Sequence, residues 1–292
     1  MKVLVTGSNG QVGTCLVKQL SEIANVSFWA VDRTELDITD EKAVKNSVKR
    51  YSPDVIINAA AYTAVDKAEA EVKLSYLVNR EGARYLAEAA NDIGATILHI
   101  STDYVFAGDK DGMYDENDSV RPQGVYGQSK LEGEVEVAKA CPRHIILRTA
   151  WVFSEYGNNF VKTMLRLADN RDSLGIVADQ FGGPTYAGDI AKALIYIANK
   201  SVNRGSVSYG IYHFSGLPHV SWYEFAKAVF DKAKEQCLLR KEIIVSPINT
   251  EDYPTLAKRP ANSTLDTKKI NSQFGIQPSN WLFALNNLSE YK

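Results

Sequence analysis

The sequence predicts an α/β protein, a doubly wound parallel sheet joined to a smaller, mixed C-terminal domain. Short β-branched runs alternate with longer helical patterns over the first half of the chain. The runs are nearly continuous in apolar residues, as buried parallel strands covered on both faces must be. A glycine-rich turn also stands directly after the first run. Lys2–Thr6 reads as the first strand and Val12–Leu20 as the helix beyond the turn. Val26–Val31 and Asp54–Ala60 follow, with Pro53 closing the helix between them because proline cannot continue its hydrogen-bond ladder. Ala95–Ser101 and His144–Thr149 complete the series.

The second half is less regular. Asn159–Leu167 and Ala187–Ala198 read as helices, the latter after the turn-rich Gly182-Gly183-Pro184. Gly210–Phe214 reads as a strand, and Trp222–Ala233 as an amphipathic helix with Ser221 as its N-cap. The predicted division is 1–150 and 151–292, with 178–200 returning to the first domain. The sequence has neither an internal repeat nor a low-complexity linker, so the halves are expected to share an interface with the cleft between them.

Composition narrows the function classes. At 292 residues, 45% apolar and 23% charged, the chain suits an ordinary globular protein of roughly two domains. Basic residues number 33 against 35 acidic, a net charge of −2, which lacks the electrostatic footprint of a nucleic-acid binder. No apolar run approaches the ~20 residues that cross a bilayer. The opening Met1–Gly7 has one positive side chain and a short apolar run, unlike a secretory leader. Cys15, Cys141 and Cys237 are far apart and odd in number, which suggests neither a disulfide framework nor a metal cluster. A reducing, cytoplasmic setting is the expectation.

The turn reads Gly7-Ser8-Asn9-Gly10-Gln11-Val12-Gly13. Glycines at this spacing let the backbone turn tightly and let a pyrophosphate approach the amides of a helix N-terminus, the signature of a Rossmann-type dinucleotide site. Asp32 lies nineteen positions after Gly13, where an acid would hold a ribose 2′-hydroxyl. Arg33 would instead receive a 2′-phosphate or stack on adenine, so NADH and NADPH both remain open. Asp37 and Ile38 are placed on the adenine side. Asn58–Thr63, which includes Ala59, Ala61, Tyr62 and Thr63, ends the third strand at the carboxyl edge where cofactors lie.

Ser101-Thr102-Asp103-Tyr104 ends the fourth strand at that same edge. Tyr126 and Lys130 stand four apart, on one face of a helix. A phenol with a free pKa of about 10 is a poor acid–base group near neutrality. A nearby ammonium is expected to lower it, and Thr102 to hydrogen-bond the reacting oxygen.

In that chain order the motifs resemble the extended short-chain dehydrogenase/reductase superfamily and, within it, the dTDP-4-dehydrorhamnose reductase family. The resemblance rests on Val5–Gly13, Ala59–Thr63, Ser101–Phe106, Tyr126–Lys130 with Leu131–Glu134, Arg148–Phe153, Asp179–Thr185 and Arg259-Pro260. It implies NADPH- or NADH-dependent reduction of the C4 ketone of dTDP-4-dehydro-L-rhamnose, with Thr102, Tyr126 and Lys130 as the catalytic set and Tyr126 as proton donor. It implies dinucleotide contacts from Gly10, Gln11, Val12, Asp32, Asp37, Ile38, Ala61, Tyr62, Thr63, Tyr126 and Lys130. Thr63, Tyr104 and Trp151 would meet the sugar nucleotide. Residues 1–150 would then bind dinucleotide and 151–292 mainly substrate. Members of the family are described as magnesium-assisted homodimers, but no acidic cluster of this sequence maps onto such a site, and no metal ligand is assigned.

A nucleotide diphosphate needs cationic or backbone donors, for which Arg259 and the helix entrance at Asn159 are the candidates. Arg259 suits a surface salt bridge equally well, and Trp151 suits core packing as well as stacking on substrate. His99 and His144 read as core histidines, and His213 and His219 lack ligand spacing. Two alternatives stand beside the reductase. One is a non-catalytic dinucleotide-binding subunit resembling the β subunit of methionine adenosyltransferase. The other is a related epimerase or dehydratase, although a dehydratase would need a second carboxylate beside Asp103.

Overall fold

The computed structural model describes residues 1–203 and 207–292. The first half runs β1 (Lys2–Thr6), α1 (Gln11–Ser21), β2 (Ser27–Val31), α2 (Glu41–Tyr51) and β3 (Val55–Asn58). It continues through a π-helical turn at Leu77–Gly82 into α3 (Ala83–Ile93), then β4 (Thr96–Thr102), α4 (Val125–Ala140) and β5 (His144–Thr149). Beyond lie α5 (Phe160–Asn170), α6 (Ala187–Val202), β6 (Gly210–His213) and α7 (Trp222–Glu235). The central sheet has the order β6-β5-β4-β3-β1-β2 and is parallel throughout. The doubly wound α/β class read from the sequence is therefore the observed one.

Alternation along each strand sorts side chains into two layers. Val3 and Val5 pack with Leu16 of α1 and Ile190 and Leu194 of α6, whereas Leu4 packs with Val44 and Val48 of α2, Leu86 of α3 and Val137 of α4. A third core joins α5 and α7 to the C-terminal segment through Met164, Phe225, Val229, Trp281 and Leu288. Trp151, just past β5, stacks on Trp222 of α7 with centroids 3.5 Å apart and planes 9° from parallel, fastening this core to the sheet. The chain comes back to the sheet in α6 and again in β6, which pairs with β5 beyond the predicted returning segment.

Local chemistry explains where elements begin and end. The run Asp54–Ala60 stops as a strand at Asn58 because the Asn58 side chain turns back and its Oδ1 accepts from Ala60 N at 3.1 Å. Ser221 caps α7 in a reciprocal box with Glu224, as serine at an N-cap should. Asn159 is the cap of α5 and not its first residue, its Oδ1 accepting from Lys162 N. Among the described residues no helix is long and apolar enough to cross a membrane.

One buried ion pair ties α4 to the sheet. Arg148 of β5 donates to Glu134 of α4 through Nε at 2.9 Å and Nη2 at 2.7 Å, and Ser101 of β4 donates to the same carboxylate. Both side chains are 3% exposed. Removing one member leaves the other charged and unpaired in the interior. Arg148→Met should therefore lose ~3–5 kcal/mol in a urea titration, and Glu134→Gln combined with Arg148→Met should recover much of it.

Candidate active site

The glycine turn is built by close approach. Gly7 has φ 71°, and a Cβ there would sit 2.6 Å from Ala60 N. A Cβ on Gly13 would lie 2.1 Å from the Gly7 carbonyl oxygen, so only glycine lets α1 start against the turn. Gly10 caps α1 without a side-chain acceptor, which leaves first-turn amides of an eleven-residue helix available to an anion.

Two neighbouring cavities hold the candidate residues. The smaller, about 260 Å³, is lined by Gly7, Asp32, Arg33, Asp37, Ile38, Ala61 and Tyr62. The larger, about 670 Å³, is lined by Gly10, Gln11, Val12, Ala59, Ala61, Thr63, Thr102, Tyr104, Tyr126, Lys130, Trp151, Asn159 and Arg259. Gly13 lines neither, and its place in the turn is one of packing. In the smaller cavity Asp32 accepts from Asn9 Nδ2 at 2.6 Å and from Thr34 at 2.7 Å. The Thr34 hydrogen bonds hold its carboxyl below the usual range. Arg33 is drawn to Asp37, Nε to Oδ2 at 3.2 Å.

α4 carries Tyr126 and Lys130, and its inward face is small and polar. A Cβ on Gly127 would stand 2.3 Å from the Tyr104 carbonyl oxygen, and one on Gly133 would stand 2.1 Å from that of Asn79. Between them Ser129 meets Ser75 at 2.9 Å and accepts from Asn79 Nδ2 at 3.0 Å. At the N-terminus of the helix, Glu69 accepts from Val125 N at 2.8 Å, a carboxylate placed where the helix dipole favours it. Glu69, Asn79 and Asp66 were not among the residues read from the sequence. Their partners lie 56, 50 and 193 positions away, beyond any local pattern.

Thr102 Oγ1 donates to Asp103 Oδ1 at 3.0 Å and accepts from Tyr104 N. Burial pushes the Asp103 carboxyl up to about 6, against hydrogen bonds from Ser263 and Thr102. Tyr126 stands in the cavity wall, and its pKa is pushed up to about 12 by burial, with the neighbouring Thr102 hydroxyl, as a donor to the phenolic oxygen, pulling the other way. This is opposite in direction to the lowering expected from Lys130, because desolvation of the phenol dominates. Lys130, 2% exposed, donates to the Ile100 carbonyl at 2.6 Å. Burial brings it down to about 8, with Glu134 opposing.

Tyr104 meets Tyr126 edge-on, centroids 5.4 Å apart. Trp151 has φ 49°, a conformation side chains rarely adopt, and it combines the cavity wall with the stack on Trp222. Arg259 reaches the cavity while paired with Asp66, Nη2 to Oδ2 at 3.0 Å. Asn159 Nδ2 donates to Gln11 Oε1 at 3.1 Å, and Ser154 Oγ donates to the same oxygen at 3.0 Å, so the start of α1 is joined to the start of α5. Among the described residues no group of three or more His, Cys, Asp or Glu side chains is arranged to hold a metal ion.

The family model described as RmlD substrate binding domain matches residues 1–291. A dTDP-4-dehydrorhamnose reductase from Aggregatibacter actinomycetemcomitans is 56% identical over 290 residues, spanning 99% of each chain. The crystal structure of a dTDP-4-dehydrorhamnose reductase from Clostridium acetobutylicum aligns with TM-score 0.91 at 40% identity, covering 98% of both chains. The Bacillus anthracis dTDP-4-dehydrorhamnose reductase, solved in complex with NADP, aligns with TM-score 0.90 at 37% identity over 100% of this chain and 99% of its own.

The close approach at Gly133 generates a test. Gly133→Ala forces a methyl against the Asn79 carbonyl and should cost about 1–3 kcal/mol in thermal or urea unfolding.

Proposed function

The chain belongs to the RmlD substrate binding domain family, and from that premise we propose that it is a dTDP-4-dehydrorhamnose reductase. In this reading it converts dTDP-4-dehydro-L-rhamnose to dTDP-L-rhamnose with NADPH or NADH. The observation that carries the reading is one cavity lined by Thr102, Tyr126 and Lys130 together with Gly10, Gln11 and Val12 of the glycine turn. Residues 1–150, with 178–200, serve the dinucleotide, and 151–292 mainly the substrate.

The residues present fit a dinucleotide. The uncapped amides at the start of α1 suit a pyrophosphate, and the ionised Asp32 in the smaller cavity suits a ribose hydroxyl. Arg33 gives a 2′-phosphate a cation when it leaves Asp37, and the relative solved with NADP supports that use. When bound, the reduced nicotinamide supplies hydride to the C4 carbonyl carbon. Tyr126 donates its phenolic proton to the oxygen as negative charge gathers there, which completes the alcohol. A pKa near 12 keeps the phenol protonated and ready at neutral pH. Thr102 orients the carbonyl oxygen, and the Lys130 cation stabilises the tyrosinate left behind. Tyr104 and Trp151 flank the sugar nucleotide. Arg259 serves the diphosphate by exchanging Asp66 for phosphate oxygens.

The test follows oxidation of NADPH and NADH in parallel, with the keto-sugar nucleotide supplied by coupled upstream enzymes. Turnover is expected in the wild type, with a loss of about 10²–10⁴-fold in Tyr126→Phe and little change in dinucleotide affinity. Near-normal turnover in that variant would remove Tyr126 from its role. Tight dinucleotide binding by the wild type without oxidation would favour a regulatory subunit.

A further inference from the structure

The register of the sheet sets a polar row inside an otherwise apolar layer. Thr6, Asn58 and His99 are partners across β1, β3 and β4. Alternation places them on the face of Leu4, Ile56 and Ile97, beneath α4. Each of the three is 1% exposed.

Their hydrogen bonds fix where the protons are. Ala60 N donates to Asn58 Oδ1 at 3.1 Å, and a backbone amide can only donate, so the oxygen of that side chain must face it. Thr6 Oγ1 donates to the same oxygen at 2.8 Å. The Asn58 amide nitrogen is thereby left facing His99 Nδ1 at 3.0 Å. An amide NH₂ has no acceptor to offer, so Nδ1 carries the lone pair and the imidazole proton sits on Nε2. Burial holds His99 well below its ordinary pKa and hence neutral. Its Nε2–H points at Lys130 Nζ, 3.5 Å away, whereas the Ile100 carbonyl lies only 2.6 Å from that nitrogen. A stretched contact is what two facing donors produce.

We propose that His99, locked by Asn58 as the Nε2–H tautomer, is a positioning residue for Lys130 that opposes its ammonium form and donates to its amine once the proton has left. The groups facing Lys130 are few. β4 offers His99 and the Ile100 carbonyl, and α4 offers Tyr126, one turn earlier on the same face, and Glu134, whose charge is engaged by Arg148 of β5. Lys130 therefore gives up its proton more readily than a free lysine, while remaining the cation that faces the tyrosinate at neutral pH. The catalytic meaning of this rests on the reductase reading, but the tautomer and the lysine titration do not.

The test uses the full chain labelled with ¹⁵N-histidine and ¹³C-lysine. Long-range ¹H–¹⁵N spectra should show His99, assigned by its loss in His99→Leu, protonated at Nε2 and bare at Nδ1. A Nδ1–H tautomer or an imidazolium in the wild type would overturn the proposal whether or not any enzyme activity is found. Asn58→Asp offers an acceptor to Nδ1 and should flip the tautomer. The Lys130 ¹³Cε titration, assigned with Lys130→Met, should then move to higher pH by about one unit, as it should in His99→Leu. The basic limb of kcat/KM should move with it. A lysine titration unmoved in both folded variants would defeat the tuning role. An inactive wild type with both NMR results as expected would remove the reductase reading alone.

Discussion

The arrangement of this protein depends on bringing a helix with a polar inner face against a buried sheet. The inward residues of α4 include Gly127, Ser129, Lys130, Gly133 and Glu134, a set with little apolar area to drive packing. The helix is held by close backbone approach at the two glycines and by matched polar partners, above all Glu134 with Arg148. A buried pair of this kind is weak evidence of net stabilisation, because desolvation offsets much of the attraction. What it supplies is position. Glu134 lies one turn beyond Lys130, so the pair fixes the rotation and depth of the helix at the residues that face the cleft.

Much of this architecture was legible in the sequence, because its signals are local. Glycines three apart after a strand and a tyrosine four before a lysine each report on a single turn or helix face. Arg148, Glu134 and Ser101 were read as parts of motifs, but nothing in a linear pattern pairs them. Glu69 at the start of α4 and Asp66 against Arg259 were invisible for the same reason, since each meets its partner only after the chain has folded back. The direction of the Tyr126 shift was misread on different grounds. The neighbouring lysine is visible in sequence, but the desolvation that outweighs it is a property of the finished cavity wall. The strand that holds Asn58 was read as running on to Ala60, yet the Asn58 side chain terminates it two residues earlier.

The two halves of the molecule are joined at the cleft itself. Gln11 receives hydrogen bonds from Ser154 and Asn159, and Trp151 lies on Trp222 while its backbone holds a left-handed conformation. The start of α1 and the start of α5 thus share polar atoms. Motion of one half relative to the other has to break those bonds or carry the glycine turn with it.

The row of Thr6, Asn58 and His99 also bears on how the sheet assembles. A strand displaced by one residue turns every side chain to the opposite face. In β3 that error would put Asn58 among the valines and isoleucines packed on α1 and α6, and would leave His99 Nδ1 without its donor and the Ala60 amide without its acceptor. Apolar strands of similar composition tolerate such slips, because one isoleucine replaces another at small expense. Three adjacent polar residues that satisfy one another in a single alignment remove that tolerance, so the row favours one register of β1, β3 and β4 over its neighbours.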